Sequence, residues 1–249
     1  RGAAAARDAL GALAQRGVRL AVADAIGNDD LRVLGEAVAE LPLVTAGSGV
    51  ALGLPEAYAR RGWLQRDAQA ARLDAVGGGA AVLSGSCSVA TNAQVRAWLD
   101  AGRPAFRIDA RALARGGDLV DAAIGFARGH LPQQAVLVYA TAEPAEVKAV
   151  QAELGVERAG ALVEHALARV AGALVEAGVR RLVVAGGETS GAVVQALGVQ
   201  PLRIGAQIDP GVPWTQALDG ATPRPLLLAL KSGNFGGTDF FAKALEQVS

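Results

Sequence analysis

Residues 186–191 read "GGETSG", between a short apolar run, Leu182 to Ala185, and a new apolar pattern. Glycines and hydroxyls at a strand-to-helix junction serve one of two chemistries. One is conformational: glycine gives a tight turn its backbone freedom, and Thr189 or Ser190 caps the following helix. The other is anion binding: bare backbone approaches a phosphate closely, and free N–H groups at a helix start point at it. The stretch is not a P-loop, because no lysine follows Gly191, and it is not G-x-G-x-x-G. Its spacing leaves both chemistries open.

Three further clusters carry reactive or ligand-binding residue types. "GSCS", Gly85 to Ser88, resembles a nucleophile elbow, but Val89 stands where the trailing glycine should be. A cysteine nucleophile needs a base, and the two histidines, His130 and His165, fall on or beside helical stretches. Cys87 therefore reads as a small buried residue among capping hydroxyls. "KSGNFGG", Lys231 to Gly237, joins a cation to three glycines after a strand. It suits a phosphate, or a turn beside a solvated lysine. "DAIGNDD" gathers Asp24, Asp29 and Asp30. Carboxylates at a strand end serve as general bases or magnesium ligands. Asp29 and Asp30 read rather as first-turn residues favoured by a helix dipole. Asp24 stays open between the two roles.

These clusters need elements to hold them. Helical patterns alternate with short β-branched runs, which predicts an α/β fold, two-lobed, with mostly parallel sheets flanked by helices. Strands are expected at 17–25, ending near Asp24, and at 41–49, then at 80–85, 104–109, 134–141, 182–185, 201–208 and 224–233. Helices are expected at 1–17, at 28–41 with Asn28 as N-cap, and at 50–62, where Pro55 breaks or bends the chain. Further helices follow at 88–102, at 110–130 around a Gly116-Gly117 break, at 143–155 and 157–178, after the apolar run within 180–199, and at 238–248. Residues 61–79 lose periodicity and end in three glycines, Gly77 to Gly79. A boundary there divides 1–70 from 71–249. "LVTAGSGVA", "AVLSGSCSVA", "LVVAGGETSGAVV" and "LLLALKSGNFGGTDFF" repeat one device, apolar strand, small-residue turn, helix. In open α/β sheets, ligands bind beyond the carboxyl ends of the strands. Four such turns together read as the lining of a cleft.

Composition narrows the classes. With 249 residues, 51% hydrophobic, the chain can bury a substantial core. Its 24 basic and 24 acidic residues cancel, so nothing favours nucleic acid or an anionic membrane as partner. Aromatics at 4% are too few for a base-stacking platform. A single cysteine excludes an intramolecular disulfide and fits a reducing, cytoplasmic setting. The chain begins with Arg1 and has no methionine, so it is expected to be part of a longer protein.

"GGETSG", "IGAQIDPGVPW", "LALKSGNFGGTDFFAKAL" and "GSCSVATNAQV" together resemble the four-carbon acid sugar kinase family. "DAIGNDDL" and "LVTAGSGVALGLP" resemble the end of that family's amino-terminal domain. The resemblance implies an ATP-dependent kinase of two α/β domains, acting on the terminal hydroxyl of a small acid sugar. Residues 1–70 would be the carboxy-terminal part of the sugar-binding domain, an incomplete first lobe, and 71–249 the nucleotide-binding domain. On the nucleotide side it implies a serine of "GSCS", with Ser86 ahead of Ser88 and Ser84, then Gly187, Glu188, Thr189 and Ser190, and a glycine of "KSGNFGG", Gly236. Gly186, Lys231 and Gly233 join them from the turn chemistry above. It places Gly47, Ser48 and Gly49 towards the substrate. The family's aspartate-rich opening motif is absent here, which implies that the first half of the substrate domain lies upstream of Arg1. ATP and Mg2+ are the expected cofactors, with the ion bridging phosphate oxygens. The proton of the attacking hydroxyl would go to Asp24 or to an upstream aspartate. A homo-oligomer is left open. Two rival classes remain: a Cys87-dependent hydrolase or acyltransferase, and a nucleotide-binding module that turns nothing over.

Overall fold

The computed structural model describes residues 2–131, 133–219 and 225–248. Arg1 and Arg224, at the outer ends of an expected helix and an expected strand, lie outside the described residues. The chain forms two compact units, Arg1–Ala68 and Gln69–Ser249.

The first unit holds α1 (Gly2–Gln15), α2 (Asn28–Val38), a 3-10 turn (Ser48–Leu52) and α3 (Leu54–Arg60). Glycine sets its packing distance. A β-carbon on Gly35 would stand 2.6 Å from Gly53 Cα, so α2 and the segment before α3 touch backbone to backbone. Arg60 and Arg61 both pair with Glu36, and Arg61 also reaches Glu40. The Arg61 and Arg60 hydrogen bonds hold the Glu36 carboxyl down at about 2.

Several expectations for this unit are corrected. Residues 17–25 and 41–47 form no strand. A strand exists only by pairing, and among the described residues of this unit no segment pairs with either. Leu20 and Val22 are instead more than nine-tenths exposed. Asp24 thus lies on an exposed irregular segment, not at a strand end. The N-cap of α2 is Gly27 rather than Asn28. Asp30 performs the capping: its Oδ2 accepts the N–H groups of Ile26 and Gly27 at 2.9 and 3.1 Å. The expected helix over 50–62 is interrupted at Gly53, between the 3-10 turn and α3. Pro55 lies in the first turn of the second piece, where its missing N–H leaves no partner unsatisfied.

The second unit is built on one seven-stranded sheet. Its elements are β1 (Gly79–Ser84), α4 (Val89–Asp100), β2 (Ala105–Arg107), α5 (Ala110–Ala114), α6 (Leu119–His130), β3 (Val136–Tyr139), α7 (Pro144–Leu154), α8 (Val156–Glu176), β4 (Val179–Ala185), α9 (Gly187–Ala196), β5 (Leu202–Asp209), β6 (Val212–Ala217), β7 (Leu226–Lys231) and α10 (Phe240–Gln247). The strand order is β2-β3-β1-β4-β7-β6-β5. The first five in that order run parallel, and β6 runs antiparallel to both its neighbours, β7 and β5. β6 escapes a reading of the sequence because it contains Pro213. That proline sits opposite Gln207, where the β5 register is irregular, and beyond the residues paired to β7.

Alternation along the central strands separates two cores. Leu83, Val138, Val184 and Leu228 pack with α6, α8 and α9 on one face, and Val82, Leu137, Val183 and Leu227 with α4 and α10 on the other. Burial on both faces explains why these strands read as continuous apolar runs. Adjacent strands β1 and β4 feed helices on opposite faces: α4 belongs to one core and α9 to the other. The crevice between them is the topological switch point, where open α/β sheets place their ligands.

Candidate functional site

A cavity of about 460 Å³ opens at the switch point. Turns beyond the carboxyl ends of β1, β2, β3, β4 and β7 all contribute to its lining. One end is polar backbone: Gly85 to Cys87, Gly186 to Thr189, Ser232 and Gly233. The other is largely aliphatic: Ile108 before α5, Val147 and Val150 of α7, and Val163 of α8.

The polar end depends on close backbone approach. Gly186 N–H donates to the Lys231 carbonyl at 2.8 Å, tying the β4 turn to β7. Gly85 and Ser86 N–H groups both donate to the Ala185 carbonyl, tying the β1 turn to β4. Thr189, buried in the first turn of α9, fills the space between. A β-carbon on Gly85 would stand 2.2 Å from Thr189 Oγ1, and one on Gly186 would stand 2.8 Å from it. Gly186 also has φ 131°, a left-handed value that disfavours any side chain. No side chain caps α9. The Ser190 N–H already donates to the Gly186 carbonyl, and among the described residues the N–H groups of Gly187, Glu188 and Thr189 have no partner. Nothing stands within 4 Å of a β-carbon position on Gly187. The result is an uncapped helix start, with its dipole, facing an open cavity.

The expected site residues fall into three groups. Ser86, Gly186, Gly187, Glu188, Thr189 and Gly233 line the cavity. Ser84, Ser88, Ser190, Lys231 and Gly236 do not. Ser84 is fully buried, and its hydroxyl pairs with Thr141 at 2.7 Å. Ser88 caps α4 by accepting the Thr91 N–H, and its hydroxyl donates to the Gly233 carbonyl. The buried Ser190 Oγ has no partner among the described residues. Gly236, at φ 83°, packs on the Phe240 ring, and its carbonyl accepts from Gln94. Asp24, Gly47, Ser48 and Gly49 belong to the first unit. There Gly47 precedes the 3-10 turn, and Gly49 lies against Leu31.

Lys231 is fully buried. It shares a strand face with Leu227 and Ala229, which pack on α4 and α10. Its ammonium donates to Thr91 Oγ1 at 2.9 Å and to the Ser232 and Gly233 carbonyls at 3.2 and 2.9 Å. Lys231 thus holds the β7 turn from behind. Burial lowers its pKa to about 8. Because the folded value lies below the unfolded one, folding releases a proton between about pH 8 and the ordinary lysine value. Stability contributed at this position is therefore least below pH 8 and rises above it. Chemical denaturation of wild type and Lys231→Gln should show the difference between them shifting towards wild type by about 1–2 kcal/mol from pH 7 to pH 9.5. A pH-independent difference would contradict this assignment.

Cys87 lines the cavity, but burial pushes its thiol pKa up, and no histidine lies among the lining residues. A protonated thiol without a base is a poor nucleophile. Cys87→Ala should keep at least about half of wild-type turnover in the intact protein, with nucleotide affinity unchanged. Complete loss with an unaltered melting curve would restore a nucleophilic role.

The sequence reading missed the aliphatic half of the cavity and its polar fringe of Arg107, Asp109, Glu146 and Glu164. Arg107 pairs with Glu146, and Asp109 caps α5 through the Ala112 N–H. No spacing in the sequence marks these residues. They come from four separate elements.

Residues 81–241 match the family model described as a nucleotide-binding C-terminal domain. The chain is 61% identical over 248 residues to a 3-oxo-tetronate kinase of Cupriavidus necator, and 60% identical over 248 residues to one of Pseudomonas fluorescens. Each match covers 100% of this chain and 56% of the relative, so the chain spans just over half of their length. The crystal structure of a Haemophilus influenzae protein is similar at 38% identity and TM-score 0.72, covering 100% of this chain and 58% of that one. The matched segment runs from β1 into α10 and contains every turn that lines the cavity. The chain belongs to the family of nucleotide-binding C-terminal domains, the domain of the four-carbon acid sugar kinases that its motifs resemble.

Proposed function

We propose that this chain supplies the nucleotide-binding part of an ATP-dependent kinase whose substrate is a four-carbon acid sugar of the 3-oxo-tetronate type. The observation that carries the reading is the uncapped start of α9, with Gly187 bare, opening into a cavity at the switch point. The relatives named 3-oxo-tetronate kinase support the choice of reaction.

In this reading the phosphates lie on the N–H groups of Gly187, Glu188 and Thr189, beside the Ser86 hydroxyl and the β7 turn. Oriented N–H groups stabilise the charge that spreads over phosphoryl oxygens during transfer. The base lies on the aliphatic wall. Among the described residues no cluster of three metal-ligating side chains exists. That donor set does fit an ion that arrives with the nucleotide, since magnesium typically takes one or two carboxylates plus phosphate oxygens. Glu188, exposed in the first turn of α9, is the carboxylate at that end of the cavity. When bound, Mg2+ neutralises phosphate charge. The sugar hydroxyl attacks the terminal phosphorus, its proton passes to a carboxylate, and the bond to the ADP oxygen breaks. Asp24 is this chain's candidate acceptor, and Gly47 to Gly49 its candidate substrate contacts.

The test uses the full-length protein, ATP and a panel of four-carbon acid sugars. Transfer of labelled phosphate to 3-oxo-tetronate, lost without Mg2+, is the expected result. Tight ATP binding with no transfer to any acid sugar would overturn the kinase reading and leave a binding module. No helix among the described residues is long and apolar enough to cross a membrane.

A further inference from the structure

We infer that Glu164 reads the ribose of the bound nucleotide, its carboxylate accepting hydrogen bonds from the 2′ and 3′ hydroxyls. The inference rests on the nucleotide reading above and names a residue that selects a ribonucleotide over its deoxy form.

Four carboxylates line the cavity, and three have assignments. Asp109 caps α5, Glu146 pairs with Arg107, and Glu188 sits at the phosphate end. Glu164 faces the same cavity, and among the described residues no hydrogen bond or ion pair engages its side chain. A carboxylate covered by a ligand must receive hydrogen bonds or lose solvation at a cost. The ligand group beside Glu164 must therefore be a donor. Phosphates are excluded by charge.

Donor chemistry chooses between sugar and base. Leu167 marks the phosphate end, since its Cδ1 would stand 3.1 Å from a β-carbon on Gly85. The Glu164 backbone lies three residues earlier, about 4.5 Å along the helix axis, and its carboxylate reaches back towards Gly160, 3.4 Å from where a β-carbon there would stand. The carboxylate therefore lies beyond the phosphates, within reach of both sugar and base. The amino group of an adenine is flanked by ring nitrogens that accept, so they repel a second carboxylate oxygen. A carboxylate has two acceptor oxygens, and a vicinal diol has two donors at matching separation.

Calorimetric titration of the full-length protein with ADP, 2′-deoxy-ADP and purine riboside diphosphate tests this. Wild type should bind 2′-deoxy-ADP about tenfold more weakly than ADP, the effect of one charge-assisted hydrogen bond. Glu164→Ala should bind ADP at least about tenfold more weakly than wild type and discriminate less than twofold between the two sugars. Glu164→Gln, which keeps one acceptor, should fall between them. Thermal unfolding should be unchanged, because alanine is a good helix former. Wild-type ADP affinity or retained sugar discrimination in Glu164→Ala would overturn the inference. So would a loss that disappears with purine riboside diphosphate, which lacks the 6-amino group, since Glu164 would then read the base. Failure of wild type to bind any of the three would overturn the nucleotide reading itself.

Discussion

Gly187→Val is expected to fold normally and to bind ATP at least about a hundredfold more weakly. Its backbone is not left-handed, and a β-carbon there meets nothing within 4 Å. Gly187 lines the cavity, so the added isopropyl group crowds it beside the N–H groups of Gly187, Glu188 and Thr189. Losing two charge-assisted hydrogen bonds costs about 3 kcal/mol or more, which is the hundredfold. Ser190→Ala is the companion control. That hydroxyl lies outside the cavity lining, so affinity should stay within about twofold of wild type. Titration with a nonhydrolysable ATP analogue, alongside thermal melts, checks both. Wild-type affinity in a well-folded Gly187→Val would mean that the glycine serves only the turn.

Gly85→Ala should have the opposite signature, a large loss of stability from a single methyl. The new carbon would stand 2.2 Å from Thr189 Oγ1 and 3.1 Å from Leu167. Neither neighbour can swing away easily. Thr189 is buried at the start of α9, and Leu167 is fully buried in the core. Overpacking of this kind costs about 1–3 kcal/mol, and the upper end is expected because the β1 and β4 turns are also tied together by backbone hydrogen bonds. Thr189→Ala removes the closest atom. In a double-mutant cycle it should recover at least about 1 kcal/mol of the Gly85→Ala loss. Purely additive losses, measured by urea denaturation, would show that the turns are free to separate.

The two glycines differ in kind, and the sequence does not separate them. "GGETSG" and "GSCS" announce turns at strand ends, but Gly85 is small because another element presses on it, while Gly187 faces empty space. Lys231 makes the same point. Beside three glycines it reads as a phosphate ligand, yet strand alternation turns it onto the α4 face, behind the turn it supports.

The sequence by itself determined the α/β class, the parallel central strands and the turns that carry the cavity. Those follow from local signals: apolar runs of strand length, helical periodicity and glycine at the junctions. It did not determine 17–25 or 41–49, because β-branched residues propose a strand but only a neighbouring strand can complete one. The tertiary structure alone decided which hydroxyls face the cavity, that β6 runs antiparallel between β5 and β7, and that Ile108, Val147, Val150 and Val163 meet to form an aliphatic wall. Each of these depends on which elements become neighbours, and strand order is set by packing across the whole sheet rather than by any one stretch of chain.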